Sequence, residues 1–162
     1  YGGEIKDILK EIVAVSKDGK EIKTIDAAEL DLGYRHSDLH ESGFIVVEAV
    51  FEFEKGKRDE ISENIRELNK KRNEKQPVNY PSAGSFFKRP EGYFAGKLVQ
   101  DAGLKGYTVG GAQVSELHSG FVINIGGATA TDIVTLMKHC QKEVFNQFDV
   151  KLEPEVRILG ED

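Results

Sequence analysis

Three short stretches carry residues whose types and spacing suit chemistry on an anionic small molecule. The first, Ser82-Ala83-Gly84-Ser85-Phe86-Phe87-Lys88-Arg89-Pro90, sets small residues beside two aromatics and two cations. Small residues let a backbone approach a ligand closely. The stretch therefore reads either as a strand entering the core through Phe86 or Phe87, or as a ligand loop presenting Ser85 with Lys88 or Arg89 near an anion. A serine hydroxyl is a weak acid that needs activation by its neighbours, and the flanking spacing is not that of a nucleophile elbow. In the second stretch, Gly33-Tyr34-Arg35-His36-Ser37, an arginine follows a glycine turn. A guanidinium there either clamps a carboxylate with two parallel hydrogen bonds or faces solvent. In the third, Leu152-Glu153-Pro154-Glu155-Val156-Arg157, strand periodicity puts Glu153 and Glu155 on one face. Burial among Leu152, Val156 and Ile158 would raise a carboxyl pKa; the other reading is a solvated edge.

Other features have plainer readings. His36 and His40 have the spacing of two metal ligands on a helix. However, Gly33 and Gly43 bracket them and no third ligand is near, so no metal is assigned. His118 and His139 stand alone and read as surface or loop residues. Gly126-Gly127-Ala128-Thr129-Ala130-Thr131-Asp132 leads into a helix whose Thr129 and Asp132 fit a capping box. A phosphate cradle is the alternative there, although the lysine and glycine spacing of a P-loop or dinucleotide fingerprint is absent. The net charge of -6 over 162 residues argues against nucleic acid, which a basic face usually meets. A single cysteine, Cys140, excludes an internal disulfide and a multi-cysteine metal site. No apolar run approaches the ~18 residues of a membrane span, and no signal-peptide pattern is present.

The elements that must position these residues follow from periodicity. Residues 7–16 and 21–25 read as two strands joined across Lys17-Asp18-Gly19-Lys20, a hairpin signal. Residues 26–32 read as a short helical turn or loop, and 44–53 as a strand. The period then changes, with a helix expected over 59–73 through Ile61, Ile65 and Leu68. Its early acids and late bases complement the helix dipole. A short helix is expected around Phe94 to Val99, a strand over 120–125, a helix over 132–148 and a terminal strand over 152–159. Pro154 marks that last strand as an edge or bulge.

Taken in order, Gly33 to Ser37, Pro81 to Pro90, Gly110-Gly111-Ala112-Gln113-Val114-Ser115 and Leu152 to Arg157 resemble the UDP-N-acetylenolpyruvoylglucosamine reductase family over essentially the whole chain. The opening Tyr1-Gly2-Gly3-Glu4 is similar to the middle of the family sequence, its Ala-Tyr-Gly-x-Glu segment. The resemblance implies an α+β chain. Residues 1–56 would be the end of a β-rich flavin-binding domain, and residues 57–162 an α+β substrate-binding domain. It implies FAD and NADPH as cofactors, a UDP-sugar substrate carrying an enolpyruvyl ether, and a place in peptidoglycan synthesis in the bacterial cytoplasm. Neither nucleic acid nor membrane is an implied partner. The family's glycine-rich flavin region would lie upstream, as the partner of this chain.

By motif match, Ser85 resembles the family's proton donor, and Arg35 and Glu155 its two further active-site residues. Tyr1, Gly2 and Arg35 would touch the flavin; Lys75, Arg89 and Gln113 would touch the substrate. The stretch between Ser85 and Glu155 lacks the tyrosine-bearing insertion of one branch and resembles the shorter branch. Gly127 stands where many relatives have Asn. Two other readings of the residues stay open: a non-catalytic UDP-sugar or anion-binding module, and a scaffold domain without a ligand.

Overall fold

The structure, a computed structural model, describes residues 3–160, apart from the side chain of His40. Tyr1 and Gly2, two of the expected flavin contacts, lie outside the described residues. The chain divides into two compact units, residues 1–64 and 65–162.

The first unit is built on an antiparallel sheet with β1 (Leu9–Ser16) between β2 (Ile22–Asp26) and β3 (Phe44–Phe51). The β1–β2 hairpin turns where the Asp-Gly signal predicts it. Asp18 Oδ1 accepts from the Ser16 hydroxyl and the Lys20 amide, and Gly19 takes φ +73°, a conformation that costs glycine nothing. Ile12 and Ala14 point to a small core closed by Leu30, with Leu39 and Phe44 packed against it. The opposite face carries the cross-strand row Ile22, Val15 and Ile45. Ile22 and Ile45 are 71% and 53% exposed. A 3-10 turn (Ala27–Glu29) capped by Asp26 and a one-turn helix α1 (Leu39–Ser42) fill the crossing from β2 to β3.

Helix α2 (Arg58–Lys75) contains the division between the units. It begins one residue before the expected helix and runs two beyond it. Its acidic first turn and basic last turn are as the charge order predicts.

The second unit is an antiparallel sheet of order β4 (Ser82–Ser85), β7 (Phe121–Asn124), β6 (Ala112–Val114), β5 (Thr108–Val109). It is covered by α3 (Ala95–Asp101) and α4 (Ala130–Phe148). Helix α4 buries Leu136, Met137, Cys140 and Val144 at helical spacing against this sheet. Its start is the expected capping box: Thr129 Oγ1 accepts from the Asp132 amide, and Asp132 accepts from the Thr129 amide. Gly111 is irreplaceable in packing terms, because a Cβ there would run into the Gly126 carbonyl and the Ala128 backbone. The terminal strand expected over 152–159 does not form. Pro154 has no N–H to give, and pairing shrinks to a single bridge between Phe87 and Pro154.

Candidate active site

Ser85 ends β4, opposite Phe121 of β7. Gly84 before it holds φ +83°, which puts a bend in the strand at the residue that precedes the hydroxyl. Phe86 and Phe87 are both 3% exposed and meet edge to face at 5.5 Å between ring centres, so the two aromatics anchor the strand in the core. Ser85 itself stays exposed, and its Oγ donates to the Phe87 carbonyl only at 3.4 Å. The two aromatics thus take the structural reading, while Ser85 is presented to solvent.

The bridge at Pro154 brings Glu155 to the same place. The Glu155 amide donates to the Phe86 carbonyl at 2.9 Å, and the Lys88 amide donates to the Glu153 carbonyl at 2.8 Å. Glu155 thus pairs next to Ser85 across a short antiparallel ladder, and it is half-buried while Glu153 is exposed. Lys88 Nζ lies 3.3 Å from Glu153 Oε2, an exposed ion pair beside the bridge.

The expected substrate residues fall at three places in the second unit. Gln113, on β6, donates its amide to the Gly106 carbonyl at 3.3 Å and to Thr108 Oγ1 at 3.1 Å, holding the β5 turn. Arg89 lays its guanidinium over the Phe94 ring at 4.0 Å, and its Nε donates to the Tyr93 carbonyl. Lys75 is exposed at the last position of α2.

Arg35 belongs to the first unit. Gly33 and His36 exchange two backbone hydrogen bonds, with Tyr34 and Arg35 at the tip. Arg35 holds φ +54°, the left-handed position of a tight turn, and its guanidinium sits 5.4 Å from the Tyr34 ring centre. The histidine beside it pairs with acids: His36 Nε2 is 3.1 Å from Asp31 and 3.7 Å from Asp38, all three exposed.

The anion-cradle alternative at α4 meets a carboxylate already in place. Asp132 accepts from Thr129 and from the Gly111 amide, and these bonds hold its carboxyl below the usual range. Asn124 Oδ1 takes the Gly126 and Ala128 amides. Side chains of the chain itself thus engage the Gly126, Ala128, Thr129 and Asp132 amides around the start of α4.

His118 was assigned by the sequence to surface or loop, and it is exposed, but its ring is engaged. Its Nδ1 accepts the Gly120 amide at 3.0 Å, and the ring stands edge-on to Phe121 at 5.1 Å. The His-x-Gly spacing just before a strand was the available signal.

Among the described residues no helix is long and apolar enough to cross a membrane. Residues 76–159 match the family described as UDP-N-acetylenolpyruvoylglucosamine reductase, C-terminal domain. The chain is 58% identical over 161 residues to the UDP-N-acetylenolpyruvoylglucosamine reductase of Agathobacter rectalis, covering 99% of this chain and 51% of that protein. It is 56% identical to the reductase of the same name from Clostridium botulinum strain Eklund 17B, covering 100% of this chain and 53% of that one. The crystal structure of UDP-N-acetylenolpyruvylglucosamine reductase from Thermus caldophilus superposes with a TM-score of 0.79 at 31% identity, over 94% of this chain and 54% of that chain. The chain spans about half the length of the curated relatives it matches.

Proposed function

The chain belongs to the UDP-N-acetylenolpyruvoylglucosamine reductase family, and on that premise we propose that it carries the proton-delivering part of an oxidoreductase of peptidoglycan synthesis. The whole protein reduces the enolpyruvyl ether of a UDP-N-acetylglucosamine to the lactyl ether of UDP-N-acetylmuramate, with NADPH as reductant and FAD as carrier, in the bacterial cytoplasm. That reaction serves cell-wall growth, and through it cell shape and division. Residues 1–56 close the flavin-binding domain and residues 57–162 form the substrate domain.

The observation that carries this reading is the ladder that sets Glu155 beside Ser85 through the Phe86 carbonyl. Two motif residues seventy positions apart meet on one edge of one unit, with a loosely bonded hydroxyl facing solvent. Reduction of the double bond requires a hydride at the terminal vinyl carbon and a proton at the carbon bearing the ether. Ser85 supplies that proton. Glu155 orients the group that receives it. Arg35 holds the negative charge that develops on the substrate carboxylate, a task a guanidinium performs best where water is excluded.

Of the residues assigned to FAD, Arg35 alone lies among those described. An exposed cation on a turn fits one contact to an anionic or electron-rich group, and the remaining contacts are assigned to the sequence that the relatives carry in addition. FAD, when bound, relays hydride from NADPH to the vinyl carbon.

The test is Ser85→Ala in the full-length protein, followed by rapid mixing. Flavin reduction by NADPH should stay near the parent rate. Reoxidation by the enolpyruvyl substrate should slow by ~10²–10⁴-fold, with a much smaller change in substrate affinity. Reoxidation within a few-fold of the parent removes Ser85 as donor. Binding of the UDP-sugar without turnover in the parent protein itself would favour the binding-module reading.

A further inference from the structure

We propose that His118 is a positioning residue for Ser85 and Glu155, acting through the backbone of Gly120 and Phe86; the inference rests on the proton-donor reading of Ser85.

The argument begins with a buried amide. Gly120 is buried, and its N–H points to His118 Nδ1 at 3.0 Å. In this bond Nδ1 is the acceptor, a role an imidazole nitrogen fills with its ring lone pair. The Gly120 carbonyl, on the other side of the same residue, accepts from the Phe86 amide at 2.8 Å. The Phe86 carbonyl in turn accepts from the Glu155 amide at 2.9 Å. One continuous ladder therefore runs from the His118 ring through Gly120 and Phe86 to Glu155, and Ser85 lies on it opposite Phe121.

The bend that starts this ladder is fixed from several sides. The Phe121 amide donates to the His118 carbonyl at 3.0 Å, and the Ser115 amide to the Phe121 carbonyl at 2.9 Å. Ser115 Oγ, on a residue 1% exposed, accepts from the amides of Leu117 and His118. The space is closed as well. A Cβ on Gly120 would meet His118 Cε1 at 2.8 Å, and one on Gly96 would meet the Gly120 amide nitrogen at 2.9 Å. The ring is thus both the acceptor of the bend and one wall of it. Without an acceptor at that point, the Gly120 N–H is left inside with no partner, and the chain must twist to find one. The strand segment that twists is the one paired with Ser85.

The role is positional, since the ring acts through the backbone. It is separable from general stability by which atom is replaced. Asn at this position places Oδ1 where Nδ1 stands and can take an amide two residues on, the bond of an Asx turn. Phe keeps the edge contact to Phe121 and has no acceptor.

The experiment compares His118→Asn and His118→Phe in the full-length protein. Three readouts are taken: flavin reduction by NADPH, reoxidation by the UDP-N-acetylglucosamine enolpyruvyl ether, and amide hydrogen exchange at Phe86 and Glu155. His118→Phe should lose protection at both amides and slow reoxidation by at least ~10-fold, with flavin reduction within about two-fold of the parent. His118→Asn should restore protection and bring reoxidation within about three-fold. If both variants keep protection, or both lose it equally, the proposal is overturned. If His118→Phe fails to fold, His118→Asn decides alone: an Asn variant that folds yet reoxidises as slowly as Ser85→Ala overturns the proposal. Loss of protection with Asn rescue but unchanged reoxidation overturns the positioning claim as well. Ser85→Ala in the same assay then tells whether the serine reading fell with it.

Discussion

Arg35 occupies the left-handed region at φ +54° although it is not a glycine. That conformation costs an L-residue about 1–2 kcal/mol, and such strain gathers where a side chain is needed more than a relaxed backbone. Arg35→Gly should relieve the strain, against a loss of about 0.4–1 kcal/mol from the freer unfolded chain. The expected outcome is a urea midpoint equal to or above the parent's at unchanged slope, together with reoxidation slowed by ~10²-fold. A clearly lowered midpoint would mean that the arginine is there for the fold. How far single residues were legible depended on whether their signal was local. The capping box of Thr129 and Asp132 was, because its two partners lie three positions apart and bond each other. The meeting of Ser85 with Glu155 was not open to spacing, since it depends on a bridge across the sheet edge; only the family resemblance named the two together. His118 was passed over because an isolated histidine looks the same in sequence whether it faces water or accepts a buried amide.

Periodicity made the elements legible where one face is buried and the run is long. Helix α4 has the expected stripe, with Leu136, Met137, Cys140 and Val144 all inside. Short strands were another matter. The β5–β6 hairpin, two residues against three, lies within a glycine-rich stretch that has no alternation to read. The β3 strand slips past β1 between Val13 and Ala14, a bulge that the pattern could not show. Proline reduced the C-terminal strand to a bridge. The stripe of α4 also makes a prediction. Burial pushes the Cys140 thiol up to about 12 from its ordinary 9.0. The folded state therefore holds the proton more tightly than the unfolded one. The contribution is fully present below the unfolded value and is lost as pH rises toward the folded one, by about 1.4 kcal/mol per pH unit within that window. Urea unfolding at pH 8 and at pH 10.5 should show a steeper loss of stability for the parent than for Cys140→Ala. Equal slopes for the two would mean that the thiol is not shielded by α4's packing.

At the scale of the molecule, the two units differ in how completely they bury themselves. The second unit closes a core from β4 through α4 to Leu152. Among the described residues, the first buries Ile12, Ala14 and Leu30, and leaves Ile22, Val15 and Ile45 as an apolar row across the other sheet face. Two exposed isoleucines flanking Val15 across three paired strands are costly to leave in water, at roughly 25 cal/mol per Å² of apolar surface. The relatives are about twice as long. We propose that a segment of the longer protein outside these residues covers that row. In the isolated 162 residues, Ile45→Lys should then change stability by no more than about 0.5 kcal/mol, because the side chain contributes to no core there. In the full-length protein the same change buries a charge, and the protein should purify with reduced flavin and a lowered melting temperature. On the proposed reading, in which Arg35 is one flavin contact and the others belong to the additional sequence of the longer protein, the isolated chain should itself hold no flavin tightly. Two results would end this account: an isolated chain that purifies yellow with one flavin each, or a full-length Ile45→Lys protein indistinguishable from its parent in flavin content and melting. The first would place the flavin contacts within these residues, and the second would leave the sheet face open to solvent in the whole protein.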